Sequence, residues 1–148
     1  MVPSTFASIP ADIFPSYGKK VLLFVYSNTD LKNIPYNYFV VCREAPDFTL
    51  PNHIQHIEPE AFQGIAARWI YISDGCLSIG DRAFYNISNL RQIRIPDYCS
   101  LEESILREWN EQIVIIGTPG STAEEYASGH YNFAFLSELE YNRLNAYH

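Results

Sequence analysis

Apolar residues fall along this chain in two spacings that recur together. One is an Ile-x4-Phe pair, clearest as Ile57…Phe62 and Ile79…Phe84, with Ala61 and Ala83 just before the rings. The other is a short I-x-I alternation: Phe48/Leu50, Ile70/Ile72, Ile93/Ile95 and Ile113/Ile115. Alternation with period two marks a strand buried on one face. The step from Ile57 to Ile79 sets the period of the inner pair. A fixed period of about 20–50 residues signals a solenoid, in which each unit buries its apolar face only by stacking on its neighbours.

The same pair extends outwards as Ile34…Phe39 and Ile9…Phe14, and degenerates downstream to Leu101…Leu106. With an early strand at Leu23/Val25, inside Val21–Tyr26, the spacing predicts about five coils of about 22–25 residues over about 5–116. Pro35 and Pro51 forbid long helices there, and Asn37–Val41 reads as a helical or 3₁₀ turn on the convex side. Ser121 and Glu124 fit a capping box, with Gly129 at the far end, so a cap helix over about 121–129 should close the array. Ser137 with Glu140 predicts a further helix over about 136–147, with Leu136, Leu139, Leu144 and Tyr147 as its apolar stripe. That helix either folds back on the array or meets a second copy as a homodimer contact.

The run Leu90-x2-Ile93-x-Ile95-Pro96, preceded by Ile79-Gly80-Asp81-Arg82-Ala83-Phe84, resembles the BspA-type bacterial leucine-rich repeat. Ile116-Gly117-Thr118-Pro119-Gly120-Ser121-Thr122-Ala123-Glu124-Glu125-Tyr126-Ala127 is similar to the segment that closes many such arrays. The departures are Ser73, where Pro51 and Pro96 suggest proline, and the Leu101 coil, which lacks Ala-Phe. The resemblance implies an α/β repeat fold: a curved leucine-rich-repeat solenoid with a concave strand ladder, used for protein–protein contact, often at a cell surface.

At 148 residues the chain is expected to form one domain, 1–148, with enough length for a real core. A hydrophobic content of 47% with 15% aromatics fits a folded chain. The net charge of −7 argues against direct nucleic-acid binding, which needs a basic stripe. Such acidity mostly serves solubility, and otherwise suits a basic partner. Val21–Tyr26, the longest apolar run, is too short to span a bilayer. The opening residues show no secretory leader, so a cytoplasmic protein is expected, or a surface protein if the chain is an excised piece. Of Cys42, Cys76 and Cys99, the last two lie about one repeat apart and should stack on adjacent coils. That permits a disulfide, although two core thiols are the preferred reading. No C-x2-C pair indicates zinc.

If Ile70 and Ile72 face inward, Trp69 and Tyr71 face out. Gln92 and Arg94, then Gln112 and Val114, should lie beside them, with Asp47 and Thr49 on the other flank. Trp, Tyr and Arg together in solvent are the residue types of interface hot spots. The partner-binding candidates are therefore Trp69, Tyr71, Gln92, Arg94, Gln112 and Thr49. Glu102, Glu103, Glu124 and Glu125, with Glu108 and Glu111 between, suggest an acidic docking patch, or only a solvated face. His53 and His56 beside Glu58 and Glu60 have a metal-like spacing but no third ligand of the right type. Gly117–Thr122 lacks the lysine of a phosphate loop. No catalytic residue, metal or cofactor is expected.

The reading is a non-enzymatic module that grips a protein on its concave face. Two alternatives stand beside it. One is a small acidic inhibitor, phage- or pathogen-encoded, that blocks a basic nucleic-acid-binding site. The other is a repeat segment excised from a surface adhesin.

Overall fold

An I-x-I alternation inside so short a period leaves each coil room for two short strands and one tight turn. The computed structural model of the protein, which describes residues 29–36, 47–87, 89–106 and 112–145, is built that way. Among the described residues, the strands in chain order begin with β1 (Asn33–Ile34), β2 (Phe48–Leu50), β3 (His56–Ile57), β4 (Trp69–Ile72) and β5 (Ser78–Ile79). Then come β6 (Gln92–Arg94), β7 (Ser100–Leu101), β8 (Ile113–Gly117), helix α1 (Thr122–Ser128), β9 (Phe133–Ser137) and helix α2 (Glu138–Asn145). Among the described residues these make two parallel sheets, one ordered β1-β3-β5-β7 and the other β2-β4-β6-β8-β9. The pairings Ile57↔Ile79, Ile70↔Ile93 and Ile93↔Ile115 set the isoleucines of successive coils in rows.

Between the sheets these rows and a column of rings form the core. Phe48 lies 5.2 Å from Phe62, and Phe62 lies 5.3 Å from Phe84, centroid to centroid. Ala61 and Ala83 are fully buried, as close coil packing requires. The segments around them are hydrogen-bonded turns, and they also bond from coil to coil. Phe62 N–H donates to Ala83 O (2.8 Å) and Phe84 N–H to Ile105 O (2.9 Å). Each turn is bracketed by left-handed residues one period apart: Glu60 and Gly64 in one, Arg82 and Asn86 in the next. Elsewhere the coils approach too closely for any side chain. A Cβ on Gly75 would collide with Asn52 O.

The expected cap helix forms, as α1 over Thr122–Ser128, but the rest of the C-terminal part departs from the sequence reading. Helix α1 closes only the sheet that ends on β7, burying Ala123, Tyr126 and Ala127. Its hydroxyls satisfy carbonyls of the preceding coil: Thr122 Oγ1 donates to Cys99 O (2.9 Å) and Tyr126 Oη to Glu103 O (3.0 Å). The capping box does not form, since Ser121 N–H donates to Thr118 O instead. Ser121 Oγ makes no cap bond, while the Glu124 carboxylate accepts from Gly120 N–H (3.2 Å). Gly129 is right-handed (φ −79°), so its conformation does not require glycine.

The other sheet is not closed by this helix, because β9 adds a further strand through Ile113↔Phe133 and Ile115↔Phe135. The last helix therefore starts at Glu138, not 136, and Ser137 Oγ caps it by accepting from Glu140 N–H (3.2 Å). Leu136 belongs to the strand, and Leu139 and Leu144 face solvent, so the predicted apolar stripe does not pack on the array. Tyr147 lies outside the described residues, as do the coil of Ile9 and Phe14, Leu23/Val25, Asn37–Val41, Cys42, Glu108 and Glu111. Among the described residues no helix is long and apolar enough to cross a membrane.

Candidate functional site

Strand β4 is buried on one face and open on the other: Ile70 and Ile72 point into the core while Trp69 is 41% and Tyr71 37% exposed. Parallel register turns this into rows across the sheet. Trp69 stands opposite Gln92, and Gln92 opposite Val114. In the next row Thr49, Tyr71, Arg94 and Ile116 follow one another. Gln92 and Thr49 are half-buried, beside the aromatic pair. Gln112 is not: it precedes the first residue of β8, and Val114 takes the place beside Gln92. The row is fixed at its other end by Asp47, whose carboxylate accepts from Trp69 N–H (3.2 Å).

Arg94 is where the expected and observed sites differ most. Alternation places it on the open face with Trp69 and Tyr71, yet it is only 5% exposed. The covering group is Glu138, far downstream at the start of α2. Arg94 Nε donates to Glu138 Oε1 (2.7 Å), Nη2 to Asp74 Oδ1 (2.6 Å) and Nη1 to Ile72 O (2.7 Å). Its guanidinium also lies over the Tyr71 ring, 4.9 Å from the centroid. Burial works against the Arg94 charge, but bonds to Glu138 and then Asp74 outweigh it, leaving the guanidinium more basic than an ordinary arginine. Arg94 therefore holds the last helix onto the ladder and is not free to meet a partner.

That helix narrows the open face. Glu138, Tyr141 and Asn142 line one side of a cleft of about 60 Å³ whose other walls include Trp69, Tyr71 and Gln92. Sequence reasoning missed Asp74, Glu138, Tyr141 and Asn142. The Ser137–Glu140 cap locates the helix, but nothing local says which strand it will lie against.

The acidic candidates are divided. Glu103 and Glu125 line an open cleft of about 330 Å³ with Tyr126 and His130, whose Nε2 lies 3.6 Å from Glu103 Oε1. Glu102 lines a separate groove with Glu58 and Asp81, and Glu124 is occupied at Gly120. His56 Nδ1 is 2.7 Å from Ser78 Oγ, and Glu58 accepts from Asn33 Nδ2 (2.9 Å), so this pair is engaged in coil-to-coil bonds. Cys76 and Cys99 are free, buried thiols with sulfurs 3.9 Å apart. Donation to Cys76 and then burial push the Cys99 thiol up, keeping it protonated.

Among known proteins, the BspA-type leucine-rich repeat region matches residues 2–127 in six copies, where spacing alone predicts about five coils. No curated protein and no solved structure matches the chain. Two stacked parallel sheets whose strands return once per coil, matched by that repeat along most of the sequence, assign the chain to the BspA-type leucine-rich repeat family.

Proposed function

We propose that the protein is a non-enzymatic binding module that grips a protein partner on the open face of β4 and β6. The observation that carries this is the paired exposure of Trp69 and Tyr71 on a strand whose opposite face is locked in the core. Strand pairing on both sides fixes the backbone that carries the two rings, so no backbone order has to be gained when a partner covers them. Large aromatics of this kind dominate interface energetics, and they are seldom left clustered in water. The cleft beside them, about 60 Å³, is far below the roughly 300–1,000 Å³ of a metabolite site. It fits the insertion of one small side chain.

The test is a pull-down from lysates of the source organism and its host, wild type against Trp69→Ala/Tyr71→Ala, read by mass spectrometry. The proposal expects a protein held by wild type and lost by the double variant at unchanged melting temperature. Equal capture by both would remove the site from this face. Loss on charge reversal at Glu103 and Glu125, with steep salt dependence, would place it in the acidic cleft instead.

A further inference from the structure

Among the described residues, the solenoid ends on a strand with one bare edge. Strand β9 is the last member of its sheet, and β8 is its one neighbour there. The register Ile113↔Phe133, with Ile113 N–H donated to Asn132 O (3.1 Å), fixes which peptide groups of β9 face β8. Along a strand, the N–H and C=O of successive residues point alternately to the two sides. Ala134 and Leu136 therefore direct theirs to β8. Both backbone groups of Phe135, the C=O of Phe133 and the N–H of Ser137 point away from the array, while Phe133 N–H is already bonded to His130 O (3.2 Å). Helix α2 does not cover this edge, because Glu138 turns it back toward Arg94 in β6.

Exposed edges are normally blunted by lysine, proline, a bulge or an inward charge. The sequence of β9, Phe-Ala-Phe-Leu-Ser, has none of these, and Ala134 to Ser137 are only partly covered. Tyr131, just before it, is 86% exposed, and Leu139, just after it, 79%. The outward groups are moreover self-complementary about Phe135. In an antiparallel pair centred there, Phe135 N–H meets Phe135 C=O of a second copy and Ser137 N–H meets Phe133 C=O, in both directions.

We propose that this edge joins two copies of the chain, β9 against β9, about a two-fold axis at Phe135. One contact then closes both bare ends, as an isologous interface does. The copies carry a net charge of −7 each, so they repel, and salt should tighten the dimer. This surface is separate from the Trp69 face and does not depend on its having a partner.

Sedimentation equilibrium on the full chain, from micromolar to submillimolar at low and high sodium chloride, tests it. The weight-average mass should climb from 17.0 kDa toward twice that value, at lower concentrations in high salt. Phe135→Pro removes the central outward N–H, which β8 does not use, and should hold the chain at 17.0 kDa. Phe135→Leu keeps that N–H and should still dimerise. Circular dichroism and melting temperature check that each variant is folded. If Phe135→Pro is not, Ala134→Lys blocks the edge with a charge and should be monomeric. A wild type that stays monomeric throughout, or a dimer that persists in folded Phe135→Pro or in Ala134→Lys, overturns the proposal.

Discussion

Arg94 is the residue at which the ladder and the last helix are tied together. It bonds to Glu138, Asp74 and the Ile72 carbonyl and covers one face of Tyr71. Truncation would remove these charged bonds, although Asp74 and part of Glu138 can return to water. Arg94→Ala is therefore expected to lower stability by about 1–3 kcal/mol. Urea titration measures this, and Glu138→Gln should cost less because its side chain is partly solvated already. A neutral Arg94→Ala would contradict the tie. Because the folded state raises the Arg94 pKa, its contribution is present below the unfolded value and is lost only at pH above it. Stability should thus show no Arg94-linked fall at neutral or mildly alkaline pH. Strand alternation was enough to place Trp69 and Tyr71 outward, and it placed Arg94 on the same face. It could not show that Arg94 would be buried, because the covering carboxylate of Glu138 is remote in sequence.

At the scale of elements, the coil is the unit, and its central ring decides whether neighbours stay stacked. Phe62 touches the rings of Phe48 and Phe84 in the adjoining coils. Phe62→Ala or Phe84→Ala should cost roughly 3–5 kcal/mol, and the loss should spread, since each coil leans on the next. Hydrogen exchange would show it as faster exchange in β4 and β6 as well as in the mutated turn. Wild-type melting and exchange in Phe62→Ala would contradict this packing. The inner coils were legible because Ile57…Phe62 and Ile79…Phe84 repeat with only small changes. Strand β9 was not, because its pairing Ile115↔Phe135 takes a shorter step than Ile93↔Ile115 and follows a helix instead of a Phe turn. Phe133-Ala134-Phe135 therefore reads as a loop unless it is set against Ile113 and Ile115. A similar shift in spacing moved Gln112 into a rung that Val114 occupies.

Among the described residues, the molecule is a stack of coils with a five-stranded sheet on one side, crossed by α2 near its end, and β9 paired on one side alone. Its family supplies an architecture suited to protein contact, and Trp69, Tyr71, Gln92 and Thr49 form the surface proposed for it. Length and charge carried little of this, since a net charge of −7 is compatible with any solvated fold. Hydroxyl-radical footprinting of the chain, free and with a captured partner, tests the proposed binding face, because Trp and Tyr are readily oxidised when exposed. Oxidation of Trp69 and Tyr71 should fall several-fold in the complex while Tyr131, far along the chain, keeps its rate. Unchanged oxidation of Trp69 and Tyr71 in a complex that is fully formed would contradict it.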